Sequence, residues 1–245
     1  MRTFFAATFE PFGATRGVAA ALRYAEDLGY PVFVKPNEGT RAYGATRAET
    51  PDQLGWALEH CFQRREGRVT LVQECLDGPE VRLIVVEDEV KLAYRKDPLW
   101  LEGDGETRVG DLIDALQARR AAIGRKPIKL GDARLRSALE RQGLDLDSRP
   151  LGRLRLSDGL TLEFSEAVTV LDEIPADWQR IGREALATIG LRFGSVDAIL
   201  RDGCEDGLTI IELNSAPGLI AFSTLGEEAR AVDVYEAVLR SWFGL

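Results

Sequence analysis

Apolar residues recur at helical spacing at Val18, Ala21, Leu22, Ala25 and Leu28, and Gly29 supplies a stop signal. An apolar run, Pro31-Val-Phe-Val-Lys35, follows at once and predicts a buried strand. Thr50-Pro51 reads as an N-cap with proline at the first helical position, opening a helix through Leu54, Leu58 and Cys61. Strand patterns begin at Val69 and run to Glu74, then from Val81 to Val86 and from Val90 to Tyr94, the last two joined across Glu87-Asp-Glu89 as antiparallel neighbours. From Leu99 to Arg149 the chain is polar and glycine-punctuated, with helical pieces around Val109–Leu116 and Leu135–Leu139. Strand-like pieces at Leu151–Leu156 and Leu160–Phe164 precede a helix from about Ala176 to Ile189. Strands at Val196–Leu200 and Leu208–Asn214 follow, then an amphipathic helix bearing Val232, Tyr235, Val238, Leu239 and Trp242. Strands and helices mix without regular βαβ alternation, so the predicted class is α+β.

Composition narrows the class. The 245 residues are 45% hydrophobic and 29% charged, which suits one large or two modest soluble domains and excludes a disordered, collagenous or disulfide-dense chain. Lys and Arg number 31 against 40 Asp and Glu, a net charge of -9, so no global field invites nucleic acid or an anionic membrane. Any phosphate site must be built locally. Cys61, Cys75 and Cys204 are an odd number without C-x-x-C spacing, which fits buried thiols in a reducing compartment better than disulfides or zinc. The single histidine, His60, argues against a histidine-built metal site or a Ser-His triad and reads as structural. No apolar run approaches the ~20 residues of a membrane span, and Met1 to Phe9 is too short for a secretory signal, so a cytoplasmic location is expected.

Three groups of residues carry candidate chemistry. If the loop Asp202-Gly-Cys-Glu-Asp-Gly207 closes a symmetric hairpin, 202 faces 207 and Asp197 faces Glu212. Two opposed carboxylates repel unless a cation lies between them. Asn214 projects from the same face, and the three would offer hard oxygen ligands suited to Mg²⁺ held jointly with phosphates. The plain alternative is an exposed sheet face, against which Asp197 shares its face with Ile199 and Glu212 with Ile210. The second group is Lys35, which ends an apolar strand before the loop Pro36-Asn-Glu-Gly39-Thr40-Arg-Ala-Tyr-Gly44. Backbone N–H groups of such a loop can lie on phosphate oxygens, although no P-loop signature is present; a solvated strand end is the alternative. The third is Gln73-Glu74-Cys75-Leu76-Asp-Gly-Pro-Glu80-Val-Arg82, where Glu80 and Arg82 share a strand face and Arg95 on the next strand could join them. Surface ion pairing is the alternative for each.

In this order the motifs resemble the ATP-grasp superfamily of carboxylate-amine ligases, from about residue 15 to the C-terminus. The carrying segments are Pro31 to Gly44, Gln73 to Glu80, Ser195-Val-Asp197, and Ile211-Glu212-Leu-Asn214-Ser-Ala-Pro-Gly218. Tyr94-Arg-Lys-Asp-Pro98, Glu102-Gly-Asp-Gly-Glu-Thr107 and Gln142-Gly-Leu-Asp-Leu-Asp147 look most like the branch of cyanophycin synthetase and the bifunctional glutathione synthetases. The family's glycine-rich stretch before the last helix is replaced by Gly159-Leu-Thr-Leu-Glu-Phe-Ser-Glu166. The resemblance implies an α+β ATP-grasp fold of two lobes with mainly antiparallel sheets. Residues 1–72 would form the small lobe with the phosphate loop, and 73–245 the large lobe with the Mg²⁺ and substrate site.

The resemblance further implies that Lys35 holds the α- and β-phosphates of ATP, covered by the loop bearing Gly39, Thr40 and Gly44. Gln73, Glu74, Cys75 and Leu76 would read adenine largely through backbone groups, and Glu80 would bind ribose. Asp197, Glu212 and Asn214 would ligate Mg²⁺, with Mn²⁺ fitting the same ligands, and Arg82 and Arg95 would face the transferring phosphoryl group. The implied reaction joins a carboxylate, of an amino acid or peptide, to an amine through an acyl phosphate, releasing ADP and phosphate. Family enzymes carry an N-terminal α/β domain with a second phosphate-contacting lysine, whereas no lysine precedes Lys35 here. That pre-ATP-grasp domain is therefore expected to be absent, to be supplied by a partner or a second copy. A non-catalytic or partner-dependent ATP-binding module and an ATP-grasp kinase stand as alternatives.

Overall fold

The computed structural model describes residues 5–6, 9–13, 17–38, 42–63, 69–122, 125, 127–159, 161, 164–201, 207–219 and 228–244. Two short strands, β1 (Phe5–Ala6) and β2 (Phe9–Gly13), precede helix α1 (Gly17–Leu28). Gly29 ends α1 at φ +90°, its N–H reaching the Ala25 carbonyl at 2.9 Å, a left-handed cap that a side chain would strain. Next come β3 (Val32–Pro36), β4 (Thr46–Ala48) and α2 (Pro51–Phe62). Thr50 caps α2 as predicted: its hydroxyl accepts from the Gln53 N–H at 3.3 Å while the Gln53 side chain returns to the Glu49 N–H at 2.7 Å. The chain continues through β5 (Val69–Glu74), β6 (Glu80–Val86), β7 (Glu89–Pro98), β8 (Trp100–Asp104), α3 (Val109–Ala122), α4 (Ala133–Arg141) and β9 (Leu151–Arg155). It ends with β10 (Ser165–Val170), α5 (Ala176–Thr188), β11 (Phe193–Leu200), β12 (Leu208–Asn214) and α6 (Glu228–Phe243). No helix among the described residues is long and apolar enough to cross a membrane.

Two compact units result. One comprises Met1–Ala7, Asp77–Pro98 and Ser165–Leu245; the other comprises Thr8–Leu76 and Leu99–Phe164. The first is built on a six-stranded sheet in the order β1-β12-β11-β6-β7-β10, antiparallel except for the β1–β12 edge. Its core lies on one face, where Val81, Leu83, Val85, Ala93, Val196, Ala198 and Ile210 meet Trp178, Ile181, Ala185 and Leu186 of α5. Gly182 lets α5 approach: a Cβ there would stand 2.7 Å from Val90 Cγ2.

In the second unit α1 and α2 cover one face of an antiparallel sheet, β2-β5-β3-β4, burying Phe12, Val32, Val34, Ala48, Leu54, Leu58 and Val72. The antiparallel pair β8–β9, whose connection contains α3 and α4, packs with both helices around Leu101, Val109, Ile113, Leu135, Leu139 and Leu154. Residues 99–164, placed by the sequence reading in the lobe 73–245, thus cluster with 8–76. The physical reason is a buried polar tie. Asp158 accepts the Arg47 backbone N–H at 3.1 Å and is ion-paired with Arg141 of α4, the two side chains 2% and 5% exposed. Nearby, Gly159 lies so close to Ala42 that a Cβ would meet the Ala42 Cβ at 2.4 Å. The strand expected over Leu160–Phe164 is not found at Thr161 and Phe164, and residues 160, 162 and 163 lie outside the described residues. Phe164 is buried in the α3–α4 cluster, and the strand begins one residue later, where Ser165 to Val170 pair with β7.

The Asp158–Arg141 pair yields a prediction. Removing one member of a buried pair strands the other charge, so Arg141→Met is expected to lower unfolding stability by about 3 kcal/mol in urea titration. Replacing exposed Arg153 by Met should change it by less than about 1 kcal/mol; equal effects would contradict the tie.

Candidate functional site

Opposite the α5 core, the six-stranded sheet carries a polar face. Strand alternation puts Glu80 and Arg82 of β6, Tyr94 and Lys96 of β7, Ser195 and Asp197 of β11, and Glu212 and Asn214 of β12 on that side. Asp197 lies opposite Glu212, as the sequence predicts, but by a different route. Near the loop Leu200 pairs with Leu208 and Ala198 with Ile210, one residue away from symmetric closure, and a bulge at Ile211 then restores the Asp197–Glu212 pairing. Of the loop itself, Asp202 and Cys204 lie outside the described residues, while Arg201 donates to the Gly207 carbonyl at 3.0 Å.

Arg82 faces Asp197 across β6–β11 and clamps it, Nε to Oδ1 at 2.5 Å and Nη2 to Oδ2 at 2.6 Å. This fork-on-carboxylate geometry is the strongest form of the pair. The Asn214 amide donates to Asp197 Oδ2 at 3.0 Å, so here Asn214 buttresses the carboxylate. Asp197 is 3% exposed, whereas Glu212 is exposed. Burial works against the Arg82 charge, but the Asp197 carboxylate outweighs it, with Tyr94 and Glu80 adding, and holds the guanidinium pKa above its usual value. Burial pushes the Tyr94 phenol up to about 12, against the opposing pull of Arg82.

Glu80, expected to meet ribose, is buried and ion-paired with Lys96. Burial raises its pKa, the Lys96 charge opposing. Arg95 does not join Arg82. A second bulge, at Lys91 in β7, aligns Ile84 with Leu92, Arg82 with Tyr94 and Glu80 with Lys96, turning Arg95 to the opposite face. There it pairs with Asp97 at 3.0 Å. A symmetric β6–β7 hairpin would have set Arg95 against Glu80; the extra residue substitutes Lys96, which the sequence reading missed along with Tyr94.

The other unit presents a second set of residues. In the β2-β5-β3-β4 sheet, Phe33 and Lys35 of β3, Arg47 of β4, and Leu71 and Gln73 of β5 share the face away from α1 and α2. Gln73 is buried, and Glu74, Cys75 and Leu76 are half-buried. Arg47 donates from Nη1 to Cys75 Sγ at 3.1 Å, tying β4 to this linker. Gly44 has φ +81°, and its carbonyl accepts from the buried Cys61 thiol. Gly39 and Thr40 lie outside the described residues. His60 stacks on Trp56, ring centroids 5.2 Å apart.

The donor chemistry permits a hard cation at the polar face. Among the described residues no cluster of three or more His, Cys, Asp and Glu stands in metal-holding geometry. The set here is two carboxylates and an amide. Among the described residues Asp197 Oδ1 accepts one hydrogen bond, from Arg82 Nε, which leaves a lone pair there on a buried carboxylate registered with Glu212. Counting Glu80, Asp197 and Glu212 against Arg82 and Lys96 leaves one negative charge, which a divalent ion would invert.

The family model for the C-terminal part of D-Ala–D-Ala ligase matches residues 8–98. The bifunctional glutathione biosynthesis protein GshAB of Enterococcus faecalis is 29% identical over 218 residues, covering 82% of this chain and 28% of that protein. Cyanophycin synthetase of Synechocystis is 25% identical over 218 residues, covering 80% of this chain and 25% of that protein. The chain therefore spans about a quarter of the length of these curated relatives. Among solved structures, D-alanine–D-alanine ligase from Bacillus anthracis superposes with a TM-score of 0.57 at 12% identity, over 97% of this chain and 63% of that one, which shows a shared fold.

Absorbance titration tests the geometry around Arg82. One tyrosine is expected to ionise near pH 12 and to disappear in Tyr94→Phe. Because the phenol pKa is raised on folding, its contribution to stability is present below the unfolded value of 10 and is lost as pH rises through 12. A full complement of tyrosines ionising near pH 10 in the folded state would contradict the arrangement.

Proposed function

We propose that this chain, a relative of the D-Ala–D-Ala ligase, GshAB and cyanophycin synthetase branches of the ATP-grasp superfamily, is the catalytic core of an ATP- and Mg²⁺-dependent ligase. It joins the carboxylate of an amino acid or peptide to an amine. The observation that supports this most is the clamp of Arg82 on Asp197, registered with Glu212 and braced by Asn214.

On this reading Lys35 binds the α- and β-phosphates of ATP, the segment bearing Gly39, Thr40 and Gly44 covers them, and Gln73 to Leu76 meet adenine. Asp197 and Glu212 would hold Mg²⁺, with Asn214 keeping Asp197 in place. A bound Mg²⁺ supplies charge neutralisation for the phosphate oxygens. Arg82 keeps its charge at every working pH and lies beside the carboxylates, where negative charge develops on the transferring group. A substrate carboxylate oxygen attacks the γ-phosphorus, the bond to the β-bridging oxygen breaks, and ADP leaves. The amine then attacks the acyl carbon, phosphate departs and the nitrogen loses a proton. No side-chain nucleophile is required, in keeping with the lone His60 stacked on Trp56. On this reading the Glu80–Lys96 pair shares the face of Arg82, while Arg95, on the opposite face, does not meet the transferring group.

A coupled ADP-release assay over a panel of amino acids and dipeptides tests this. Release should require both a carboxylate and an amine substrate, and should fall about 100-fold or more in Asp197→Asn, Glu212→Gln and Arg82→Ala. Arg95→Ala should stay within about threefold of the parent, since it removes no transition-state contact. Steady turnover without an amine, or equal losses in Arg82→Ala and Arg95→Ala, would contradict the reading.

A further inference from the structure

Just before β4 the chain makes a turn over Ala42–Ala45, closed by the Ala45 N–H on the Ala42 carbonyl at 3.2 Å. Gly44 holds its third position at φ +81°, which a side chain would strain. Ala42 itself has φ +55°, a left-handed conformation that a residue with a Cβ keeps only where its surroundings impose it. Residues more than ninety positions later in the same unit do so at three points. Gly159 packs against the Ala42 methyl, and Asp158 accepts the Arg47 N–H at 3.1 Å.

The third contact is made by Arg134 of α4. Its guanidinium lies over the Tyr43 ring, 4.7 Å from the centroid, and over the Phe164 ring at 4.8 Å. Asp132, the N-cap of α4, accepts from its Nε at 3.0 Å and from its Nη2 at 2.7 Å, which fixes the guanidinium in its own plane. The Arg134 and Asp132 side chains are 7% and 12% exposed and Phe164 is buried, whereas Tyr43 is 39% exposed. Cation, carboxylate and Phe164 therefore belong to the packed α3–α4 interior, and Tyr43 is the exposed group that docks on them. A guanidinium already shielded from water attracts a ring face more strongly than a solvated one does, and an ammonium has neither the plane nor the fork for this site.

Resting on the reading in which the Lys35 to Gly44 segment meets the phosphates of ATP, we propose that Arg134 is a positioning residue for that segment, acting through Tyr43. It sets the turn bearing Gly44 before ATP arrives. A turn set in advance loses little conformational freedom when a phosphate binds, so the same contacts give a higher affinity.

Calorimetric titration of the full chain with MgATP, together with amide hydrogen exchange of the chain alone, tests this. Tyr43→Ala and Arg134→Met should each weaken ATP binding about fivefold, and Tyr43→Phe, which keeps the ring face, should bind within about twofold of the parent. A chain carrying both Tyr43→Ala and Arg134→Met should lose no more than Tyr43→Ala alone, because Arg134 acts through the ring. Without ATP, the Ala45 amide should exchange faster in Tyr43→Ala and Arg134→Met, and at the parent rate in Arg153→Met, whose guanidinium lies over Trp100 instead. Should Arg134→Met fail to fold, Tyr43→Ala and Tyr43→Phe carry the test on an exposed ring. Parent-like affinity and exchange in Tyr43→Ala overturn the positioning role, as does a double substitution whose loss is the product of the single ones. A parent chain that binds no MgATP overturns the phosphate reading of the segment and, with it, the role of Arg134 in binding.

Discussion

A guanidinium fixed across both oxygens of a buried aspartate organises the polar face of the larger sheet. Arg82 and Asp197 belong to neighbouring strands, and Asn214 of the next strand donates to the same carboxylate, so one charge cluster links β6, β11 and β12. The opposite face of these strands is the apolar bed of α5. Residues of both kinds alternate, and a slip of one position would bury Arg82 and Asp197 beneath the helix while exposing Leu83 and Val196. The core thus sets the parity that makes the site, and the site carries charges the core could not tolerate. Breaking such a pair is far more destabilising than the pair is stabilising, since each partner offsets the desolvation of the other.

Most of the elements were legible in the sequence because their signals are local. Gly29, Thr50-Pro51 and the apolar runs of β3, β5, β6, β11 and β12 end or fill their elements as hydrophobic periodicity requires. Less was legible where strands are short or carry few apolar residues: β2, β4 and β8 are five residues or fewer, and β10 follows a leucine-rich stretch that drew the prediction upstream. The site depended on two bulges that no local signal announced. Ile211 cancelled an incorrect assumption about the hairpin loop, leaving the Asp197–Glu212 pairing intact. Lys91 had the opposite effect, sending Arg95 to the far face and bringing Lys96 to Glu80. The alternation of residue types places Arg82, Asp197 and Glu212 on one sheet face, and strand register decides which side chains join them.

The second unit follows a different logic. Its covered sheet face is held by α1 and α2, and residues 99–164 join it through the buried Asp158–Arg141 pair and the close approach of Gly159 to Ala42, both formed between segments far apart in sequence. This packing leaves Lys35, Arg47 and Gln73 together on the other face. Arg47 spans two tasks, its backbone N–H on Asp158 and its guanidinium on Cys75.

The proposed ligase reaction requires an activated carboxylate formed beside Arg82 and Asp197, and trapping tests it most directly. With ATP, Mg²⁺, a competent carboxylate substrate and hydroxylamine in place of the amine, the account predicts stoichiometric hydroxamate and ADP, both lost in Asp197→Asn. ADP formed with that carboxylate but without hydroxamate would show that phosphate goes elsewhere and would contradict it.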